Sequence, residues 1–218
     1  MPPIAWSLAL RLARSAGALL FPRECAACPS PARAASAFCL SCGEPIAYPP
    51  DELGGVPLVS AGRYAPPLST AVARLKFEDR ADLVPALAGL LLPAVRPLGV
   101  VAGDAFVPVP LHRVRLVERG YNQSALLARA LARATGAAFA PRVLERTRRT
   151  DQQATLDREA RRDNVADAFV VRRPWRQGRV IVVDDVVTTG STALACVDAL
   201  RAGGADVVAV VAVARALG

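Results

Sequence analysis

The chain has 218 residues, 53% of them hydrophobic and 21% charged, enough to bury one substantial α/β core with a small appended module. A net charge of +8 favours anionic ligands, from phosphate esters to nucleic acid, while long repeats and low-complexity tracts are excluded. Arginine supplies nearly all of the positive charge and alanine is abundant, a bias expected of a GC-rich genome, so single arginines carry little functional information; Lys76 is the only lysine.

The first segment, Met1–Phe21, is apolar, but Arg11 and Arg14 leave no uncharged span of the length a membrane crossing needs. Ile4, Leu8, Leu12, Leu19 and Leu20 fall largely on one helical face, so residues 1–24 are expected to form an amphipathic helix that docks on the rest of the protein or on a partner, with a membrane surface as the alternative. Two CxxC pairs follow, Cys25 with Cys28 and Cys39 with Cys42, separated by ten residues. Thiolates two residues apart on a tight knuckle can reach one tetrahedral Zn²⁺, and two knuckles close its shell. Such a zinc, structural because no ligand position stays open, would supply folding energy to a module at 25–50 too short for its own core. Two disulfides are the alternative. The fifth cysteine, Cys196, falls in a predicted helix as a small apolar residue. The Pro/Gly-rich stretch Pro45–Pro57 reads as the linker to a main domain at 51–218.

Within that domain, helices are expected at Leu68–Phe77 and Leu83–Leu92, a strand at Phe106–Pro110 ending in an X-Pro turn, and an Ala/Leu helix at Asn122–Thr135. The polar run Arg146–Arg162 suits a mobile lid or a solvated, partly helical connection. A strand at Val180–Val183, a helix at Thr192–Ala202 and a strand at Val207–Val213 imply a parallel sheet with right-handed crossovers, whose ligand lies beyond the carboxyl ends of the strands. There the sequence places Asp184 and Asp185, then Thr188, Thr189, Gly190, Ser191 and Thr192. A loop of small hydroxyl residues entering a helix N-terminus is an anion site, since free N–H groups and the helix dipole converge on it. Ser191 stands where a Walker loop needs lysine, and a single glycine rules out the dinucleotide fingerprint. The plainer alternative, a polar turn with the acids as caps, explains neither the doubled acid nor the dense hydroxyls.

Val180 to Thr192 resembles the PRPP-binding motif of type I phosphoribosyltransferases at all thirteen positions. The resemblance implies that Asp184 and Asp185 contact the ribose 2′ and 3′ hydroxyls, that residues Thr188 to Thr192 wrap the 5′-phosphate, and that Mg²⁺ assists loss of pyrophosphate from C1′. The segments Val107-Pro108-Val109-Pro110-Leu111-His112-Arg113, Arg119-Gly120-Tyr121-Asn122-Gln123 and Arg146 to Gln153, with Leu156, Arg158, Arg161, Asn164-Val165 and Ala168-Phe169, together with the CxxC pairs, resemble the ComF family of zinc-bearing phosphoribosyltransferase-like proteins. This implies an α/β chain with the type I phosphoribosyltransferase fold and a four-cysteine zinc module. It also implies a pyrophosphate loop at Leu111, His112 and Arg113, and a flexible loop carrying Arg148, Gln153 and Arg158. A lone histidine is more often a packing or hydrogen-bonding residue, which is the competing reading of His112. The family context implies a cytoplasmic protein of natural competence and DNA uptake, near DNA and a helicase-like partner, with homodimers common. Two classes stay open: an enzyme transferring a phosphoribosyl group to an unidentified acceptor, and an adaptor or PRPP sensor. Only Trp175 lies among the basic residues Arg172, Arg173 and Arg176, so the aromatic interleaving of single-strand binders is missing.

Overall fold

A computed structural model describes residues 23–34, 36–147 and 168–216. The expected helix over 1–24 therefore lies, but for its last two residues, outside the described residues, as do the flexible-loop residues Arg148, Gln153 and Arg158. The described elements run β1 (Asp51–Leu53), β2 (Val56–Arg63), α1 (Leu68–Phe77), α2 (Val84–Val95), β3 (Ala105–Pro108), α3 (Arg113–Arg119), α4 (Gln123–Thr135), β4 (Ala138–Phe139), β5 (Leu144–Arg146), β6 (Phe169–Val171), β7 (Arg179–Val187), α5 (Ser191–Ala202) and β8 (Asp206–Arg215).

Six strands form one mixed sheet in the order β1-β2-β8-β7-β3-β4, every pairing parallel except the β1–β2 hairpin, and β5 pairs antiparallel with β6 in a separate ribbon. β7 and β8 are central and buried on both faces, which is why both read as nearly unbroken runs of Val, Ile and Ala. Alternation along β7 splits the core. Ile181 and Val183 pack with Leu75 of α1, Leu87 of α2, Leu127 of α4 and the buried Cys25 and Phe38. Val180 and Val182 pack on the opposite face with Ala193, Cys196 and Leu200 of α5 and with Leu144 and Phe169 of the ribbon. The cysteine segment thus shares a core with the sheet. Cys196 is buried in α5 as the sequence suggests.

By length and composition, Ala81–Leu98 is the one helical stretch among the described residues apolar enough to cross a membrane. Its stripe of Leu83, Leu87, Leu91 and Val95, at steps of four, is buried in the first core.

The sequence expectations differ from the structure in three places. The stretch 45–57, expected as a linker, contains β1 and the start of β2, joined by Gly54 and Gly55 with φ of 61° and 74°; two successive positive φ values make the tight turn whose twist suits a hairpin. Arg113, expected with Leu111 and His112 in a pyrophosphate loop, instead opens the helix α3 at 113–119, capped by His112 at one end and by Gly120 with φ 75° at the other. β7 continues to Val187, so Asp184 and Asp185 lie within a strand, not beyond its end.

Candidate functional site

The four cysteines of the two pairs are free, and their sulfurs all lie within 4.8 Å of one another. Cys28 Sγ is 3.6 Å from both Cys39 Sγ and Cys42 Sγ, close to the roughly 3.8 Å edge of a tetrahedron of thiolates about 2.3 Å from zinc. The backbone N–H groups of Ala27 and Cys39 donate to Cys25 Sγ at 3.4 and 3.3 Å, which fixes that sulfur in the cluster. Hydrogen bonds from the backbone N–H and then the hydroxyl of Ser30 draw the Cys28 thiol down to about 6. A soft, all-sulfur donor set with this spacing could hold one zinc ion.

Arg74 of α1, buried under this knuckle, was not among the site residues that sequence reasoning predicted. Its Nη1 donates to the carbonyls of Cys25 at 3.0 Å and Ala26 at 3.2 Å. Nη2 pairs with Glu24 at 2.8 Å and Nε with Glu78 at 3.1 Å. The next three residues of the same helix hold three other groups. Leu75 offers its carbonyl to the Tyr121 hydroxyl at 2.6 Å, Lys76 Nζ meets Asp185 Oδ1 at 2.8 Å, and the Phe77 ring lies 5.1 Å under the Arg119 guanidinium.

At the acid pair, the alternation of β7 aims the two side chains at opposite faces of the sheet. Asp185 continues the Ile181–Val183 face toward α1. Asp184, partly buried, accepts from Ser124 Oγ at 3.1 Å and from the Asp185 N–H at 2.8 Å. Burial, reinforced by the neighbouring charge of Asp185, pushes its carboxyl up to about 7. Ser124 is the second residue of α4, whose N-cap Asn122 accepts from the Ala125 N–H at 3.3 Å and donates to the Val109 carbonyl at 3.0 Å. Asn122 therefore fixes the helix start to the end of β3 and brings Ser124 to the acids.

Beyond the acids, Thr188, Thr189 and Gly190 lead into α5. Gly190 is the N-cap, with φ 83° and no side-chain cap. An added Cβ there would stand 2.6 Å from Leu53 Cδ1 of the hairpin. Thr189 and Ser191 hydroxyls are 3.1 Å apart. Arg215 donates to the carbonyls of Val187 and Thr188 and pairs with Asp51 at 3.2 Å, tying the loop to both sheet and hairpin. The carbonyls thus face Arg215; in the first turn of α5 the Ser191 N–H donates to Thr189 Oγ1 at 3.4 Å, so the N–H groups a helix start offers to an anion there are those of Thr192 and Ala193.

The predicted pyrophosphate-loop residues join this arrangement less directly. Leu111 and His112 connect β3 to α3, where His112 Nδ1 accepts from the Val114 N–H at 3.3 Å. The exposed Arg113 pairs with Glu145 of β5 at 3.3 Å. Among the described residues neither makes an ion pair with Asp184 or Asp185. Lys76, Ser124, Tyr121 and Asn122 are the additions to the predicted set. An open depression of about 450 Å³ lined by Arg129, Arg133 and Phe139 lies at the far end of α4, away from the acids.

No protein-family model matches the chain. Among curated proteins it is 35% identical over 229 residues to DNA utilization protein YhgH of Salmonella typhimurium, covering 100% of this chain and 99% of the relative. It is 37% identical over 194 residues to DNA utilization protein YhgH of Escherichia coli K12, covering 87% and 84%. With Competence protein F of Haemophilus influenzae the identity is 33% over 194 residues, covering 82% and 85%.

Proposed function

The chain belongs to the ComF family, and from that premise we propose that it binds PRPP with Mg²⁺ at Asp184, Asp185 and residues 188–192, in the service of DNA handling during competence. The observation that carries this reading is the continuous path from the acid pair within β7, through a hydroxyl-lined turn, to the uncapped N-terminus of α5. The 5′-phosphate is held by the N–H groups and hydroxyls at 188–192. The ribose hydroxyls donate to the two carboxylates, and the diphosphate on C1′ lies on the α1 and α3 side. Carboxylate and ligand oxygens suit Mg²⁺, which when bound would neutralise charge on the departing diphosphate.

If phosphoribosyl transfer occurs, the C1′–oxygen bond breaks, the electron pair leaves with pyrophosphate, and positive charge spreads over C1′ and the ring oxygen. Carboxylates beside the ribose stabilise that charge by position, without a protein nucleophile. We propose a division into the N-terminal segment 1–24, a four-cysteine module at 25–50 and a phosphoribosyltransferase-like domain at 51–218. The names of the relatives, DNA utilization protein and Competence protein F, support the link to DNA, and we place this role on the cytoplasmic side.

Calorimetry with PRPP and Mg²⁺ tests the reading. Saturable binding is expected for the wild type and loss of it in Asp185→Asn and Gly190→Trp; no binding to the wild type at millimolar PRPP sinks the proposal. Pyrophosphate release with nucleobases, ammonia or orotate as acceptors then separates an enzyme from a sensor.

A further inference from the structure

We propose that Lys76 is the diphosphate-recognising residue of this site, the group that separates a ligand bearing a 1-diphosphate from ribose 5-phosphate alone. The inference rests on reading Asp184 and Asp185 as the ribose site and adds to it a residue on a distant helix.

The first argument is charge. From Val180 to Thr192 the chain has two carboxylates and no cation. A diphosphate beside Asp185 needs positive charge from elsewhere in the fold, because like charges at contact distance disfavour binding. The neighbouring arginines are committed: Arg74 to Glu24, Glu78 and the cysteine carbonyls, Arg80 to Glu24 and Asp82, Arg215 to Asp51 and the loop carbonyls, Arg113 to Glu145, and Arg119 to Gln123 and the Phe77 ring, while Arg146 lies over Phe169 on the opposite face of the sheet. Among the described residues, Lys76 is the one cation in an ion pair with the acid pair, at 2.8 Å from Asp185 Oδ1.

Direction is the second argument. Lys76 belongs to α1, which packs on the sheet face of Ile181 and Val183, whereas α5 and its anion-binding N-terminus pack on the face of Val180 and Val182. The ammonium therefore reaches Asp185 from the side opposite the 5′-phosphate loop. On a ribose held between them, that side presents C1′ and its diphosphate.

The third argument is the type of side chain. In a chain that uses arginine for 26 of its 27 basic residues, this position holds lysine. A guanidinium is a rigid fork that matches one carboxylate; an ammonium is a point charge on a flexible stem with three donors, able to exchange a carboxylate for phosphate oxygens without turning a plane. The backbone from which it swings is fixed, since Arg74, the Leu75 carbonyl and Phe77 are all held. The side chain is about one-fifth exposed, so its partner can change at the open edge of the site.

The test is calorimetry on the full chain with Mg²⁺, titrating PRPP, pyrophosphate and ribose 5-phosphate into the wild type, Lys76→Gln and Lys76→Met, with zinc content and circular dichroism confirming the fold of each variant. Loss of a charged phosphate contact should weaken PRPP and pyrophosphate by at least about tenfold while ribose 5-phosphate changes by less than about threefold. Equal weakening of PRPP and ribose 5-phosphate would mean that Lys76 only holds Asp185 in place, and overturns the proposal. So would unchanged affinity for all three. A wild type that binds ribose 5-phosphate but shows no preference for PRPP overturns the role of Lys76 and keeps the ribose site; a wild type that binds neither removes the site and this inference with it.

Discussion

Asp184 carries two opposed demands. Its carboxyl is pushed from an ordinary 3.8 up to about 7 by burial and by Asp185. Between those values the unfolded chain has released a proton that the folded chain retains, so this residue's contribution to stability is full below about 4 and is lost as pH rises through about 7. At the proposed PRPP site, ribose hydroxyls would donate to this carboxylate, so PRPP affinity should rise over the same interval. Asp184→Asn keeps an acceptor for Ser124 and for the Asp185 N–H while removing the charge. The expected result is a variant that matches wild type at pH 4 and exceeds it by up to about 4 kcal/mol, or roughly 8–16 °C in Tm, at pH 8, yet has lost the pH-dependent gain in PRPP binding. Thermal melts and calorimetry at pH 5, 6, 7 and 8 check both halves.

At the scale of elements, α1 determines how the rest is held together. Successive side chains of a helix point about 100° apart, and Arg74, Lys76 and Phe77 use that divergence to grip the cysteine knuckle, Asp185 and Arg119, while the Leu75 carbonyl accepts from the Tyr121 hydroxyl. Arg74→Ala would strand the buried Cys25 and Ala26 carbonyls and deprive Glu24 of a partner. A loss of about 3 kcal/mol in urea unfolding is expected, with weaker PRPP binding because Lys76 loses its fixed base. With zinc held by the four cysteines, a chelator should act in the same direction, lowering Tm and the proposed PRPP affinity together. The sequence revealed the ends of this arrangement and not its middle. The cysteine spacing and the run of β-branched residues before Asp184 are local signals, so the metal ligands and the strand–turn–helix were legible. The contacts of Lys76 and Ser124 with the acids span 109 and 60 positions, and no local pattern encodes them. The β1–β2 hairpin was hidden by Pro45, Pro49, Pro50 and Pro57, although Gly54-Gly55 between short apolar runs is a hairpin signal. For α3, Val114, Leu116 and Val117 are exposed and bury no stripe, so this helix leaves no periodic signal in the sequence.

Across the whole molecule, the end of the sheet opposite Asp184 and Asp185, where β3 and β7 begin, is fastened by a buried acid. Asp104 is 2% exposed and receives Arg179 Nη2 at 2.6 Å, Arg179 Nε at 3.1 Å and the backbone N–H groups of Val101 and Arg179. These donors, led by the Arg179 side chain, hold its carboxyl below the usual range. Its stabilising contribution is present above the unfolded value near 4 and disappears as pH falls through the lower folded one. Asp104→Ala should cost about 3 kcal/mol at pH 7, because it leaves Arg179 and two N–H groups without their acceptor, and progressively less as the wild type is acidified; urea titrations at pH 7 and pH 3 check this. The parallel sheet itself, with helices on both faces, followed from the strand–helix–strand order, whereas the shared core of the cysteine segment and the sheet did not, since nothing in Cys25 to Cys42 names the surface it will cover.

The order of the strands also sets a timetable. β8 lies between β2 and β7, so β2 has no parallel neighbour until residue 215 has been made. At about 5–20 residues per second, Cys42 leaves the ribosome roughly 10–30 s before the strand that completes its bed. For that interval the four thiols are exposed on a nascent chain, where early capture of a metal ion would protect them from oxidation and anchor the first folded turn while the sheet waits for its last strand.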